Sequence, residues 1–252
     1  MAGTSPAVTG TEWSGILDQT LDYMLTPEEW TAVYLSLKVA FWATFWSLPF
    51  AILTAWLLAR SSFPGKSLFD GLIYMPLVLP KVVVGYLLLI TLGARGYLGQ
   101  YLDAWFGIKL IFSTAGATVA AAVVSFPLTV NAIRLSLEAV DRGLETAART
   151  LGATRMDVFF SITLPLMLPG ILSGALLAVA SALGEFGATI TFVSNVEGLT
   201  RTIPLAIYSA THMADGDAMA LRLTTVSIIL ALGALLLASQ VDRRIRTLIG
   251  RT

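Results

Sequence analysis

Long apolar stretches alternate with short polar segments along most of this chain. Five of the apolar stretches are about twenty residues long or longer, and they cover residues 31–59, 67–92, 114–135, 165–185 and 221–240. Each is long enough to cross the hydrocarbon core of a bilayer. Because no water reaches that core to satisfy backbone amides, a segment that crosses it must be helical. The pattern therefore predicts five transmembrane helices.

Two weaker apolar stretches leave the number of helices open. Residues 13–25 alternate apolar and acidic positions, which is typical of a segment at the membrane interface. Residues 202–213 are apolar but too short to span as a single helix, so they suit a re-entrant or interfacial piece. The predicted fold class is all-α, a polytopic membrane helical bundle of five helices, or of six if one of these stretches also crosses.

Basic residues are distributed unequally between the two sides of the predicted bundle. Ten of the sixteen Lys and Arg residues follow the first, third and fifth helices, whereas four lie on the opposite side. Because positively charged loops stay in the cytoplasm, the bias predicts a cytoplasmic C-terminus, a cytoplasmic loop at 138–165 and, with five helices, an external N-terminus. We accordingly divide the chain into an extracytoplasmic or interfacial segment (1–30), a transmembrane domain (31–242) and a basic cytoplasmic tail (243–252).

Composition removes several classes of function. The chain is 56% hydrophobic and 13% charged, with a mean hydropathy of +0.78, and a soluble domain of this composition would expose large apolar patches. A net charge of zero gives no reason to expect nucleic acid as a partner. With no Cys and a single histidine, His212, we expect no metal site and no catalytic residue. Residues 1–10 have no basic region ahead of an apolar one, so we expect no cleavable signal peptide.

The polar interruption at residues 138–165 has the features of a helical elbow. Charged residues three and four positions apart predict an amphipathic helix over 136–150. Gly152 can adopt a positive φ and so end that helix in a tight turn. A second short helix, over about 154–163, would then lead to Pro165 in the first turn of the fourth membrane helix. Such an elbow is suited to carrying rigid-body motion into the membrane domain.

The charges of this segment allow a second interpretation. The acid–base pairs Glu138–Arg142 and Glu145–Arg149 are four residues apart and would stabilise a helix without any partner protein. The segment would then be an ordinary cytoplasmic loop, because surface pairs of this kind are common and weak. Two consecutive alanines in the same helix instead favour docking, since small side chains let a partner surface approach the backbone closely.

Two charged residues in the predicted membrane helices are candidates for a translocation pathway. Glu185 lies between glycines after a stripe of small residues in the fourth helix, and Lys81 follows Pro80 deep in the second. A charge at such a depth usually faces protein or water, so both could line an aqueous path, and Glu185 could hold a gate closed through hydrogen bonds. Alternatively, Glu185 is solvated at the outer interface and Lys81 extends to the headgroups.

The spacing inside the elbow resembles the docking loop of ATP-binding-cassette importer permeases. Two alanines, three residues, Gly152, nine residues and Ile-x-Leu-Pro follow the pattern of that family. Further segments look like the permease subunit of bacterial molybdate importers, in the molybdate, sulfate and tungstate permease family. They are Met-Pro-Leu-Val-Leu-Pro at 75–80, Val-Ser-Phe-Pro-Leu at 124–128, Leu-Gly-Glu-Phe-Gly-Ala-Thr at 183–189 and Thr-Ile-Pro-Leu-Ala-Ile-Tyr at 202–208. Three positions depart from the pattern: Thr146 replaces a usual Glu, Lys81 a common Pro, and Asn131 a common basic residue.

The resemblance implies a type I importer permease fold in the cell inner membrane, with a cytoplasmic coupling helix in the elbow. It implies a homodimer of permease subunits around one pathway, two cytoplasmic ATPase subunits docked on the elbows, and a periplasmic or lipid-anchored binding protein that delivers an oxyanion. Molybdate is the first choice, and sulfate, thiosulfate or tungstate are the alternatives. ATP and Mg would be used by the partner subunits, because this chain has no Gly-rich phosphate loop with Lys. The chain would thus not be an enzyme by itself and would bind no cofactor.

The candidate residues fall into two sets. The docking set is Glu138, Asp141, Glu145, Thr146, Ala147, Ala148, Arg149, Gly152, Ile162, Leu164 and Pro165. The pathway set is Lys81, Ser125, Asn131, Glu185, Phe186 and Asn195. A secondary transporter is the alternative from another class, since it would also be a bundle with broken helices. Such transporters typically carry internal repeats, and we find none in this sequence.

Overall fold

The computed structural model describes residues 25–214 and 216–248, with the backbone alone at 238 and 241–248. All regular structure within these residues is helical, which confirms the predicted class. The helices are α1 (Pro27–Arg60), α2 (Lys66–Val78), α3 (Lys81–Leu92), α4 (Gly99–Phe106), α5 (Thr114–Glu138), α6 (Arg142–Thr150), α7 (Arg155–Val158), α8 (Leu164–Leu183), α9 (Gly187–Val193), α10 (Ile203–Ala210) and α11 (Asp217–Leu248). A π-helical turn, Phe159–Thr163, joins α7 to α8 without a break.

The helices that could cross a membrane match the predicted stretches. In the described part of the chain, α1, α5, the run from α7 through α8, and α11 are long and apolar enough to span. The α2–α3 pair supplies a fifth crossing if the two helices count as one span. Helix α10, at Ile203–Ala210, is too short to span, as expected for the weaker stretch at 202–213. The other weaker stretch, residues 13–25, lies outside the described residues except for its last position.

Helix α1 begins at a capping box and presents an aromatic face to the outside of the bundle. The Glu29 backbone N–H donates to Thr26 Oγ1 at 3.3 Å, and the Thr26 N–H donates to Glu29 Oε2 at 2.6 Å. Eight exposed aromatic side chains follow along the helix: Trp30, Tyr34, Phe41, Trp42, Phe45, Trp46, Phe50 and Trp56. A face of this composition suits contact with lipid, because exposed to water it would form a large apolar patch.

Helices α1, α5 and α8 make the centre of the bundle and pack against one another. The small residues predicted in the fourth membrane helix lie on the side of α8 that faces α5. A Cβ added at Gly174 would lie 3.1 Å from the Thr129 backbone oxygen, and one at Gly170 would overlap the Ser136 side chain. The stripe is therefore a helix-packing surface that lets two backbones approach closely.

The second predicted span is not one straight helix. Helices α2 and α3 meet at an angle of 115° across Leu79 and Pro80. Pro80 has no backbone N–H, and it restricts Leu79 to extended conformations, here φ −71° and ψ 143°. The prediction of a continuous helix over 67–92 was wrong at this point. The bend matters for function because Lys81 becomes the first residue of a new helix, α3.

The predicted amphipathic helix over 136–150 is two helices. Helix α5 continues through the membrane domain to Glu138, and α6 begins only at Arg142. The cause is Asp141, whose carboxylate accepts a hydrogen bond from the Gly143 N–H at 2.7 Å and so caps the start of a new helix. The prediction of one helix was therefore wrong at its N-terminal end.

Candidate functional site

The elbow, residues 138–165, contains α6, a glycine turn and α7. Gly152 has φ +92°, and a Cβ at this position would meet no atom within 4 Å. Glycine is therefore favoured here by its backbone conformation and not by lack of space. Thr154 and Asp157 form a capping box at the start of α7, with the Asp157 N–H donating to Thr154 Oγ1 at 3.2 Å. The turn and the second helix thus lie where the sequence predicts them.

A partly buried set of contacts at Glu145, which we call the clasp, ties the elbow to the membrane helices. Glu145 Oε1 accepts hydrogen bonds from Arg60 Nη2 and from Thr163 Oγ1, both at 2.9 Å. Arg60 is the last residue of α1, and Thr163 immediately precedes α8. One carboxylate therefore holds α6 against two helices of the bundle. Charge-assisted hydrogen bonds of this kind are stronger than neutral ones, so the clasp makes the elbow a stiff attachment.

Neither of the two helix-internal ion pairs expected of an ordinary loop, Glu138–Arg142 and Glu145–Arg149, forms among the described residues. Glu138 pairs with Arg134, Nε to Oε1 at 2.9 Å, and Glu145 pairs with Arg60. Arg134 also contacts Asp70 of α2 at 2.8 Å, so this charge too connects separate helices. The predicted pairing of Glu138 with Arg142 and of Glu145 with Arg149 was therefore wrong. Glu145 therefore holds separate helices together, whereas Glu138 forms a different helix-internal pair, with Arg134 of α5.

The two faces of α6 differ in chemistry. One face turns Arg142, Glu145, Thr146 and Arg149 into a cleft of about 700 Å³, which is closed on its other sides by the end of α1 and by residues 155–163. We call this space the elbow cleft. The opposite face carries the apolar or small residues Leu144, Ala147, Ala148 and Leu151, and Leu151 is 89% exposed. An exposed apolar face on a polar loop indicates a protein-binding surface.

The structure distributes the predicted docking residues among several positions. Ala147, Ala148 and Gly152 lie on or beside the outer face of α6, whereas Glu145, Thr146 and Arg149 line the elbow cleft. Glu138 and Asp141 are occupied by Arg134 and by the cap of α6. Ile162 and Leu164 are half-buried and Pro165 is exposed where the elbow joins α8. Sequence reasoning missed Leu144 and Leu151, although their spacing from the alanines in the helix could have identified them.

The second candidate site lies where the α2–α3 bend meets the segment between α8 and α9. Lys81 Nζ lies 3.1 Å from Glu185 Oε2, without the alignment of a hydrogen bond. Glu185 Oε1 accepts the Ala188 N–H at 2.8 Å. The Glu185 side chain is 1% exposed and that of Lys81 is 50% exposed. The alternative of a solvated Glu185 was therefore wrong, and the Lys81 ammonium is held by a buried carboxylate while half of its side chain stays accessible.

Two glycines bring these charges together. A Cβ at Gly85 would come within 2.6 Å of the Ala188 backbone oxygen, and a Cβ at Gly187 would come within 2.9 Å of Lys81 Cβ. Helices α3 and α9 can therefore pack this closely only with glycine at both positions. The Gly-Glu-Phe-Gly sequence thus supplies both the acidic side chain and the space that lets it meet Lys81.

The other predicted pathway residues do not converge on Lys81 and Glu185. The Phe186 ring lies against Tyr208 with centroids 5.2 Å apart. Asn195 Nδ2 donates to Ser209 Oγ at 2.6 Å. Asn131 has its own neighbour, accepting a hydrogen bond from the Tyr74 hydroxyl at 3.4 Å. Ser125 is fully buried and donates to a backbone oxygen of its own helix. In residues 25–214 and 216–248, no three His, Cys, Asp or Glu side chains form a group able to hold a metal ion.

Comparison with known proteins decides the family. Residues 47–247 match the family described as binding-protein-dependent transport system inner membrane component. The chain belongs to this family. As a membrane component of a transport system it is not itself an enzyme, and the secondary-transporter alternative loses its support. The helical elbow and the bent second span are thus parts of a transport permease.

The permease has relatives that are similar over most of their length. It is 58% identical to the molybdenum transport system permease protein ModB of Escherichia coli K12, covering 90% of this chain and 100% of the relative. It is 54% identical to ModB of Haemophilus influenzae, covering 88% and 97%. Identity to the sulfate transport system permease protein CysT of Salmonella typhimurium is lower, at 36% over 86% and 77% of the two chains.

Solved structures of distant sequence share the fold of this permease. A bacterial alginate ABC transporter matches with a TM-score of 0.72 at 19% identity, covering 90% of this chain and 83% of that one. The MetNI methionine ABC transporter matches with a TM-score of 0.65 at 15% identity, covering 90% and 98%. At these identities the comparison concerns architecture, and it confirms the importer permease fold expected from the elbow spacing.

Proposed function

We propose that this chain is the permease subunit of an ATP-driven importer for molybdate. The observation that carries the proposal is the 58% identity to a molybdenum transport permease across that relative's whole length. The 36% identity to a sulfate permease makes sulfate or thiosulfate the weaker choice. Tungstate has the same charge and shape as molybdate, so tungstate stays an alternative within the same site chemistry.

The proposed assembly is a homodimer of permeases with two ATPase subunits on the cytoplasmic side and a binding protein on the outer side. The outer face of α6 supports the ATPase contact, since Leu144 and Leu151 are exposed there beside the small Ala147. Hydrolysis by the partner subunits would move α6, and the clasp at Glu145 would transmit that movement to α1 and α8. ATP and Mg act on the partner subunits, and the cycle is a two-state change in access to the pathway.

In the proposed orientation of the permease in the membrane, the elbow and the C-terminal end face the cytoplasm. The uneven distribution of Lys and Arg supports it, with ten of sixteen on the elbow side. Residues 1–30 would then lie outside or at the interface, 31–242 would form the membrane domain, and 243–252 would form a basic cytoplasmic tail. The chain would be a multi-pass protein of the cell inner membrane.

For the anion pathway we propose Lys81 as the main contact. Its side chain is half-exposed and Lys81 is the first residue of α3, whereas the side chain of its partner Glu185 is buried. A dianion that passes the α2–α3 bend would compete with Glu185 for Lys81. This competition would weaken the binding of the dianion, so that it could also be released. Phe186, Asn131 and Asn195 are further candidates for the lining. Ser125 is left out, because its side chain is buried and already bonded.

The test of the proposal is the ATPase activity of the reconstituted complex with its cognate binding protein. We expect molybdate to stimulate hydrolysis at the lowest concentration, followed by tungstate, with sulfate much weaker. Stimulation by sulfate at lower concentration than by molybdate would contradict the proposed substrate. Uptake of molybdate into vesicles that contain the permease without ATPase subunits would contradict the proposed class.

Gly152 offers a test of the elbow with a matched control. Gly152→Val places a β-branched residue at φ +92°, and strain of about 1–3 kcal/mol would distort the turn between α6 and α7. We expect substrate-stimulated ATPase activity to fall several-fold while the amount of permease in the membrane is unchanged. Gly152→Asn is the control, because Asn tolerates the left-handed region and should keep most of the activity. Equal activity of the two variants would show that the turn is not needed for coupling.

A further inference from the structure

The elbow cleft carries an excess of positive charge. Four arginines line it, Arg60, Arg142, Arg149 and Arg155, against one carboxylate, Glu145. The Glu145 oxygen that faces the bundle is already shared by Arg60 and Thr163. Four positive charges against one negative leave a formal excess of three. Such a concentration of charge in a concave site attracts anions.

Most of this charge has no counter-ion within the described chain. Arg142 Nη2 donates only to a neutral acceptor, the Ala59 backbone oxygen, at 3.2 Å. The side chains of Arg149 and Arg155 make neither a hydrogen bond nor an ion pair with the described residues. Arg60 Nε is buried without an acceptor. Guanidinium groups present fixed donors that match the oxygens of phosphate and carboxylate groups, so the cleft is built for an anionic oxygen ligand.

The wall of the cleft is apolar as well as basic, and this limits the kind of anion. Trp56, Met156, Val158 and Phe159 line the same space as the arginines. A small hydrated ion gains nothing from such a wall, whereas an amphipathic molecule does. A ligand that contacts both parts of this lining would have an anionic oxygen group attached to an apolar body.

An exposed apolar track leads from the bilayer into the cleft. Leu53, Trp56 and Arg60 are spaced three and four residues apart, so they share one face of α1. Leu53 and Trp56 are both exposed on that face, and Arg60 is where α1 ends. An acyl chain lying along Leu53 and Trp56 would bring its headgroup to the arginines. Phospholipid has this arrangement, and a free anion does not.

We propose that the elbow cleft binds the phosphate group of an anionic phospholipid of the phosphatidylglycerol type. Basic pockets beside transmembrane helices on the cytoplasmic side suit such headgroups. The lipid would contact α1, α6 and α7 at once. It would therefore hold the elbow at the bilayer surface while ATP hydrolysis moves α6. This inference does not depend on which oxyanion the importer carries. Inorganic phosphate shares the headgroup chemistry, and acidic side chains of an ATPase subunit are a third source of negative charge, so the experiment must distinguish all three.

The experiment is native mass spectrometry of the delipidated permease–ATPase complex with added dioleoyl phosphatidylglycerol, dioleoyl phosphatidylcholine or inorganic phosphate. We expect the wild-type complex to prefer phosphatidylglycerol over phosphatidylcholine, because one basic residue near a membrane surface contributes roughly a fivefold change in binding. Arg155→Gln should reduce the preference by about that factor, and Arg155→Lys should largely retain it. Arg95→Gln is the control, since Arg95 is exposed in the turn after α3, away from the cleft.

Each other outcome overturns the proposal in a distinguishable way. An unchanged phosphatidylglycerol preference in Arg155→Gln would remove the cleft as the site. Phosphate binding that depends on Arg155, without phosphatidylglycerol binding, would identify a soluble anion as the ligand. Phosphatidylglycerol binding that appears only after removal of the ATPase subunits would mean that a partner protein fills the cleft. Because Arg155 is exposed and unpaired, the Gln variant is expected to fold, and assembly with the ATPase checks this.

Discussion

Arg222→Ala is expected to lower the free energy of unfolding by about 3–5 kcal/mol, because it leaves a buried carboxylate without its counter-charge. Arg222 Nη2 lies 2.9 Å from Glu29 Oε1, and Arg222 Nε adds contacts at 3.0 and 3.3 Å to the two carboxylate oxygens. The Glu29 side chain is 0% exposed. The measurement is unfolding of the purified permease in detergent by titration with a denaturing surfactant.

The double variant Glu29→Gln, Arg222→Met is the control for this prediction. Gln retains an oxygen that can accept the Thr26 N–H, so the cap of α1 is kept while both charges are removed. We expect the double variant to recover most of the stability lost in Arg222→Ala, since no uncompensated charge stays buried. A double variant as unstable as the single one would mean that packing, and not charge, explains the loss.

The Glu29–Arg222 pair belongs to a set of contacts that join the first helix, α1, to α10 and α11. It links the first turn of α1 to α11, across a sequence separation of 193 residues. Ser36 of the same helix accepts a hydrogen bond from the Ile203 N–H at 2.7 Å and so caps α10. These contacts explain how a short helix such as α10 and a long lipid-exposed helix such as α11 are held to the bundle. They are structural and lie far along α1 from the elbow.

Local sequence signals predicted the parts of the permease that depend on local chemistry. Hydrophobic length located the spanning stretches, and Gly152 was identified as the turn of the elbow because a positive φ favours glycine. Motif spacing also indicated the loop that we propose as the ATPase-docking site. Motif spacing did not show that the other face of α6 closes a cleft, because the cleft depends on where α1 ends, at Arg60.

The features that sequence reasoning missed depend on contacts between distant residues. Glu145 was assigned to docking, but it bonds Arg60, which is 85 positions away, and periodicity carries no information about such a partner. The break before α6 was missed for a different reason. Asp141 was included among the charges of one helix, although an Asp side chain can also accept hydrogen bonds from the backbone and start a new helix. Here its carboxylate accepts the Gly143 N–H and caps α6. The Pro80 bend was missed because apolar residues continue on both sides of Pro80, and hydrophobic length carries no information about the 115° angle between α2 and α3.

Lys81→Met is expected to reduce molybdate-dependent transport by about tenfold or more. The substitution removes the one positive charge we place in the pathway, and a hydrogen bond to a charged group is worth about 1.5–3 kcal/mol. It also leaves Glu185, 1% exposed, with a charge held only by the Ala188 N–H. We therefore expect a loss of stability in the same variant, smaller than at Arg222 because half of the Lys81 side chain is already solvated. Transport into proteoliposomes and denaturant titration measure the two effects separately.

Because Glu185 is buried and Lys81 is half-exposed, the effects on transport and on stability can be separated with variants of each residue. Glu185→Gln keeps an oxygen for the Ala188 N–H and leaves its half-exposed partner with access to water, so stability should change by less than about 1 kcal/mol. Combining Lys81→Met with Glu185→Gln removes the unpaired buried charge, so the double variant should regain stability. Its transport should stay as low as that of Lys81→Met, because the anion contact is still missing. If transport returned together with stability, Lys81 would be a structural partner of Glu185, and the anion would have to be bound by other residues.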